Sequence, residues 1–463
     1  MADRELRPGD EVDLRITELD DLGAGVAEVG SGPRALRVHV AGALPGEGVA
    51  ARLEHISVHS RAFVREAWAA LVSVLETSAD RAEPICPSHG NCGGCALMGL
   101  AYPAQLEWKR SRVERQLARW RQLSGIPVDA CVGSPATLGY RNQAKYVYGR
   151  AQQSGQPVLG AFSPRSHTIV DLAGCRVVEP VLDEAAAALL AILRAKAVEP
   201  FDETRRTSAL RYVVMRATGA GQVMVTMVSA RTDWRQAEEV ADALAAACPA
   251  VVSVVLNVNA GAGNAIFGGE ERPLHGQATL EDRVGDVSVR LSSRAFFQAN
   301  RGVASRIYRD LAAAAPAEVA RAVDVYSGAA AIALSLSPMA REVIAIEENA
   351  AATQAAAAFI VEQGGVAGRV RVVTGDAAAC LADVDAADVV VLNPPRKGCA
   401  EAVLAAVSRL RPRMIAYLSC DPETLARDLA VLVTDGARIV RITPYDMMPH
   451  TPHVETLALL ALP

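Results

Sequence analysis

The stretch Met414-Ile-Ala-Tyr-Leu-Ser-Cys-Asp-Pro-Glu-Thr-Leu-Ala-Arg-Asp428 decides the reading of this chain. Met414 to Ser419 is an apolar run of strand type. It ends in Cys420, and Asp421-Pro422 then precedes a helical pattern. This places a thiol at the carboxyl end of a strand, where open α/β sheets bind ligands. Upstream, Asn393-Pro-Pro-Arg-Lys-Gly follows a second apolar run, Ala387-Asp-Val-Val-Val-Leu. Downstream, Pro449-His-Thr-Pro-His-Val-Glu-Thr456 precedes a last apolar strand. Three polar constellations at three strand ends read as one assembled site. A lone cysteine is usually a buried apolar residue, but in this setting Cys420 reads as a nucleophile.

Strands and helices alternate from about Ser288 onward. Val323-Asp-Val-Tyr, Val343-Ile-Ala-Ile-Glu, Val370-Arg-Val-Val and Val389-Val-Val-Leu read as strands between alanine-rich helical segments. Residues 288–463 are therefore expected to form a doubly wound, Rossmann-like α/β domain. From Tyr140 to Val287 the pattern is strand-rich, with Lys145-Tyr-Val-Tyr, Arg211-Tyr-Val-Val-Met-Arg, Val223-Met-Val-Thr-Met-Val and Val251-Val-Ser-Val-Val-Leu. One alanine-rich helix lies near Asp183 to Ala195. With the cysteine-bearing stretch before it, this predicts a cluster loop plus an α+β central domain over residues 69–287. Alternating stretches, Glu11-Val-Asp-Leu-Arg-Ile and Leu36-Arg-Val-His-Val, are punctuated by Asp21-Leu-Gly-Ala-Gly and Pro45-Gly-Glu-Gly. They predict a small OB-like β-barrel over residues 1–68, a fold that commonly binds single strands.

Composition narrows the class. Of 463 residues, 51% are hydrophobic, 21% charged and only 4% aromatic, so the cores of a multidomain globular protein must be aliphatic. No apolar run reaches the ~18 residues of a membrane span, and Met1-Ala-Asp-Arg-Glu-Leu-Arg-Pro has no apolar signal core. A cytoplasmic location is expected, with the nine cysteines reduced. A net charge of −5 does not by itself point to nucleic acid, yet a local basic face suffices for phosphate contact. Lys109, Arg110, Arg112, Arg115, Arg119 and Arg121, interleaved with Trp108 and Trp120, read as such a face on a helix.

Cys86-x5-Cys92-Gly-Gly-Cys95 puts three thiols on one tight loop, and Cys175 is the natural fourth ligand from a distant segment. Four thiolates suit a 4Fe-4S cluster or a zinc ion, and spacing leaves both open. Cys131, Cys248 and Cys380 read as ordinary packed residues. Cys399, after the Pro-Pro-Arg-Lys-Gly loop, has no role that the sequence explains.

Asn-Pro-Pro-Arg-Lys-Gly, Tyr-Leu-Ser-Cys-Asp-Pro-Glu-Thr and His-Val-Glu-Thr together resemble the RNA uracil-5-methyltransferases. The likeness is greatest to the branch with a TRAM domain and an iron–sulfur cluster that methylates 23S ribosomal RNA. The resemblance implies that residues 1–68 are a TRAM-like RNA-binding module. It favours 4Fe-4S over zinc at Cys86, Cys92, Cys95 and Cys175. The implied substrate is ribosomal RNA, with transfer RNA the alternative. Cys420 is implied as the thiolate that adds to carbon 6 of uracil, and Glu455 as the base that removes the carbon 5 proton. A free thiol titrates near ~8.5, so Cys420 is expected to be lowered by Arg396, Lys397 or the helix N-terminus.

The implied methyl donor is S-adenosyl-L-methionine, held by Val323-Asp-Val-Tyr-Ser-Gly-Ala-Ala-Ala and by Gln298, Tyr326, Glu347, Asp376 and Asn393. Two positions depart from the family pattern. Ala330 stands where the family has a second loop glycine, adding a Cβ beside the cofactor and demanding a strained angle. Asn393 replaces an aspartate and its charge. The residues thus leave two other readings open: uracil activation with a different donor, and a non-catalytic RNA-binding relative.

Overall fold

A computed structural model of the chain describes residues 6–30, 35–61, 64–152, 154–164, 166–263 and 265–462. They fall into two compact units, Met1–Trp108 with Pro449–Pro452, and Lys109–Met448 with His453–Pro463.

The first unit is built on β1 (Glu11–Arg15), β2 (Glu18–Leu19), β3 (Gly25–Val29), β4 (Leu36–Val40), β5 (Gly48–Arg61) and β6 (Val64–Glu76). They form one sheet in the order β1-β5-β6-β4-β3-β2, antiparallel except for β4 against β6. The period-two pattern that made these stretches legible is the burial pattern: Leu36, Val38 and Val40 face the core, with Arg37 and His39 between them. β6 runs through the expected boundary at residue 68. After it the buried Glu47 carboxylate accepts from Arg81 Nε at 2.6 Å, anchoring the segment that leads to the cysteine loop. Helix α1 (Tyr102–Ala118) carries the division at Trp108.

The second unit begins with β7 (Gln143–Arg150), β8 (Pro157–Phe162), β9 (Ile169–Asp171), α2 (Pro180–Ala195), β10 (Leu210–Ala217), β11 (Val223–Ser229), α3 (Ala237–Ala247), β12 (Val251–Val258) and β13 (Glu270–Gly276). The strands pair as β13-β12-β11-β10-β7-β8-β9, and every expected central strand lies within one of them. A hairpin, β14 (Thr279–Val284) and β15 (Val287–Ser292), follows. It has weak sequence signals and was not anticipated. Its Arg290 binds Glu281 and Glu362.

Then come α4 (Arg301–Ala314), β16 (Val319–Val325), α5 (Ala331–Leu336), β17 (Ala340–Glu347), α6 (Ala350–Gln363), β18 (Val370–Thr374), α7 (Ala377–Ala382), β19 (Val389–Leu392), α8 (Glu401–Leu410), β20 (Met414–Ser419), α9 (Pro422–Thr434), β21 (Arg438–Tyr445) and β22 (Glu455–Ala461). Their order is β18-β17-β16-β19-β20-β22-β21, parallel through β20, with β22 antiparallel to both neighbours. The chain starts at the centre, winds outward to β18 and returns at β19, so the switch point lies between β16 and β19. All six residues of β20 are buried, as a strand covered on both faces requires. Alternate residues feed two cores: Ala322, Val343, Val391 and Leu418 one, Val323, Ile344, Val390 and Tyr417 the other. Among the described residues no helix is long and apolar enough to cross a membrane.

Candidate active site

Backbone register brings Cys420 and Glu455 together. Ser419 pairs with Thr456 at the end of the β20–β22 ladder, and Cys420 and Glu455 are the next residue on each strand. Directly opposed residues of an antiparallel pair have Cβ atoms about 4.5–5.5 Å apart. Glu455 is only 6% exposed, and burial pushes its carboxyl up to about 8. The half-buried Cys420 thiol is pushed up to about 11, by burial first and then by the charge of Glu455, with Arg396 opposing. The expected lowering is therefore not what the site shows. The helix terminus offers little because its first amides are already taken: Asp421 Oδ1 accepts from Glu423 and Thr424 N–H, both at 3.0 Å. The two groups titrate in succession, carboxyl before thiol, as one coupled pair.

Cations rim this pair. Arg396 Nη2 stands 3.5 Å from both His453 ring nitrogens. His453 is pushed down to about 4, by burial first and then by Arg396, Arg112, Lys109 and Arg141. Its ring is neutral at physiological pH. Lys109 corrects the sequence reading of a basic helix face: its side chain is fully buried, paired with the equally buried Asp446 and donating to the Met448 carbonyl at 3.0 Å. One charge of the six is internal because α1 turns that position toward the core. The contribution of Arg141 to the rim was not legible, since it comes from the loop before β7.

The loop after β16 lies at the switch point. Tyr326, Gly328 and Ala330 all have left-handed backbones, with φ of 65°, 55° and 59°. Two of these are not glycine, a strain of the kind found at functional sites. The loop wraps a carboxylate: Gly328 N–H donates to Glu347 Oε2 at 3.0 Å, and Asn349 N–H to Oε1 at 2.9 Å. Asp376 caps α7 through Ala378 and Ala379 N–H. Asn393 N–H donates to the Val325 carbonyl at 3.2 Å, joining the loops after β16 and β19. The Phe296 carbonyl lies 3.8 Å from where a Cβ on Gly328 would stand, so the segment bearing the buried Gln298 runs alongside.

Two buried polar atoms here have no partner among the described residues, Asp324 Oδ1 and Ser327 Oγ. Burial pushes Asp324 up to about 7. Orphaned polar atoms beside a strained strand-end loop fit a polar cofactor. Ala330 has the strained angle expected and is fully buried in the core. Left-handed strain of about 1–2 kcal/mol is nearly matched by the ~0.5–1 kcal/mol entropic cost of glycine and the ~0.8 kcal/mol of a buried methyl. Ala330→Gly is therefore expected to move the unfolding free energy by less than about 1 kcal/mol in a urea titration. A shift beyond about 2 kcal/mol would overturn this accounting.

Among the described residues no three His, Cys, Asp or Glu side chains converge on a metal position. Cys86, Cys92 and Cys95 are half-buried and in no disulfide, in a run of tight turns where His89 N–H donates to the Cys86 carbonyl and Met98 N–H to that of Cys95. Cys175 is likewise half-buried and in no disulfide. Side-chain placement among the described residues thus gives the four-thiolate centre no support of its own.

A family model described as tRNA (uracil-5-)-methyltransferase matches residues 179–462. An RNA methyltransferase of Geobacter sulfurreducens is 37% identical, covering 98% of this chain and 90% of that protein. One of Gloeobacter violaceus is 34% identical, covering 99% of each. Among solved structures, the Pyrococcus abyssi tRNA (uracil-54, C5)-methyltransferase in complex with S-adenosyl-L-homocysteine shares the fold. Its TM-score is 0.75 at 24% identity, covering 97% of this chain and 100% of that one. With the match spanning both the switch-point loop and the Cys420–Glu455 pair, this chain belongs to the tRNA (uracil-5-)-methyltransferase family.

Proposed function

We propose that the protein forms 5-methyluridine in ribosomal RNA through a covalent bond between Cys420 and carbon 6 of the target uracil. The observation that carries this reading is the register that sets Cys420 beside Glu455 at one strand end. The Cys420 thiolate adds to carbon 6, which makes carbon 5 nucleophilic. Once carbon 5 carries the methyl group, the Glu455 carboxylate takes the proton from it. The carbon–sulfur bond then breaks, the ring double bond re-forms and the thiolate returns. The target base must leave its stack, at a cost of a few kcal/mol, and the rim of Arg396, Arg112 and Arg141 supplies the charge to hold its phosphates.

S-adenosyl-L-methionine, when bound, supplies an electrophilic methyl group on a sulfonium. Tyr326, Glu347, Asp376, Gln298 and Asn393 would hold it, and the orphaned Asp324 and Ser327 atoms support a polar ligand there. Transfer RNA is the second reading, favoured by the description of the family and by the substrate named for the Pyrococcus abyssi enzyme. Incubation with labelled S-adenosyl-L-methionine and either 23S ribosomal or transfer RNA transcripts, followed by nucleoside mass spectrometry, tests both. Labelled 5-methyluridine in neither RNA would reject the proposal.

The N-terminal sheet is proposed as a TRAM-like RNA-binding module, and Cys86, Cys92, Cys95 and Cys175 as ligands of a 4Fe-4S cluster: four thiolates suit such a cluster or zinc, and the family resemblance favours iron and sulfur. Anaerobically purified protein is expected to be brown and to contain about four irons per chain. Zinc in place of iron, or neither metal, would sink the cluster.

A further inference from the structure

One buried carboxylate ties the Arg396–Cys399 segment to α9. Asp428 is 1% exposed. Its Oδ2 accepts from the Tyr417 hydroxyl at 2.5 Å and from Cys399 N–H at 2.7 Å, and its Oδ1 accepts from Arg427 Nε at 2.8 Å. Thr424, Arg427 and Asp428 share one face of α9 by their three- and four-residue spacing. From that face Thr424 Oγ1 donates to the Arg396 carbonyl at 3.1 Å. Arg427 Nη2 donates to the carbonyls of Lys397 and Cys399 at 3.0 and 3.3 Å. Gly398 has φ 73°, and a Cβ there would stand 2.5 Å from Arg427 Nη2 and 2.6 Å from Asp428 Oδ2. Only glycine lets the segment lie this close. Burial pushes the Cys399 thiol up to about 12.

A carboxylate that served packing alone would be satisfied by neighbours from anywhere. The partners of Asp428 come from β20, from α9 and from the loop after β19, the strand ends where the site assembles. We infer that Asp428 is a positioning residue for methyl transfer, holding the Arg396–Cys399 segment so that the Arg396 guanidinium stays at the strand end that bears Cys420. The inference rests on the reading of Cys420 as the attacking thiol, but its test needs neither RNA nor a methyl donor.

The test is the rate of Cys420 alkylation by iodoacetamide in the full-length protein, followed against pH by peptide mass spectrometry. The groups facing Cys420 are Glu455 on β22, Asp421 at the head of α9 and Arg396 on the loop. Release of Arg396 should slow alkylation and move its midpoint to higher pH. Asp428→Asn is expected to lower the rate at pH 8.5 by about threefold to tenfold, a shift of up to about one pH unit. Arg396→Ala should do the same, and the double variant should be no slower than the slower single one. Tyr417→Phe, which removes one bond and keeps the packing, should shift the profile in the same direction by less. It decides the matter should Asp428→Asn fail to fold by circular dichroism. Native alkylation in folded Asp428→Asn or in Tyr417→Phe, or losses that add to those of Arg396→Ala, would overturn the inference. Absence of 5-methyluridine from the native reaction would instead fault the proposed function and leave this result standing.

Discussion

Cys420→Ala is expected to abolish 5-methyluridine formation, by a factor on the order of 10⁴ or more, as removal of a covalent nucleophile does elsewhere. Cys399 offers no substitute, because it is buried and its segment is tied to Asp428. The decisive readout is the adduct. RNA with 5-fluorouridine at the target position cannot lose its carbon 5 substituent as a proton, so native protein should form a complex that survives denaturing gels. Cys420→Ala should form none. The same thiol sets a kinetic condition. With its midpoint near 11, only about one molecule in 10⁴ carries the thiolate at pH 7, so attack should quicken with pH across the neutral range. Retained activity in Cys420→Ala, or native-like crosslinking, would remove the centre of the proposed mechanism.

Glu455→Gln should separate addition from elimination. The amide keeps the shape of the side chain but cannot take the carbon 5 proton, so turnover should fall by about 10²–10⁴-fold, and adduct with ordinary RNA should accumulate. Because the base works only when ionised, and burial sets its midpoint near 8, turnover limited by elimination should rise with pH toward about 8 in the native protein. That limb should vanish in the variant. Loss of the neighbouring charge should also make Cys420 easier to ionise, hence faster to alkylate, while methyl transfer fails. A variant that turned over normally without accumulated adduct would assign the proton transfer to another group.

Contiguous motifs carried most of what was legible. Cys420, Asn393 and Glu347 all stand directly after apolar runs, and each run is a strand of the catalytic sheet. Period-two and alternating α/β patterns are local, so both large sheets were readable from them. What escaped depended on contacts distant along the chain. Lys109 belongs to a basic run by composition, yet finds Asp446 in the interior. Asp428 looks like an ordinary helix-surface aspartate until Tyr417, Arg427 and Cys399 are folded around it. The left-handed backbone expected at Ala330 is present, but its full burial in the core is a tertiary matter that the loop sequence does not carry. The raised titration of Cys420 follows from its facing a buried carboxylate, a matter of strand register that no local window contains.

The placement of β22 between β20 and β21 has a consequence for durability. A strand bonded on both sides cannot fray as an edge can, and a slip of one residue would send Glu455 to the opposite face and present Thr456 in its stead. The placement of Glu455 opposite Cys420 is consequently a digital property of the ladder register. Its lifetime is that of the sheet's slowest cooperative opening, not that of the loops that bear the rest of the site.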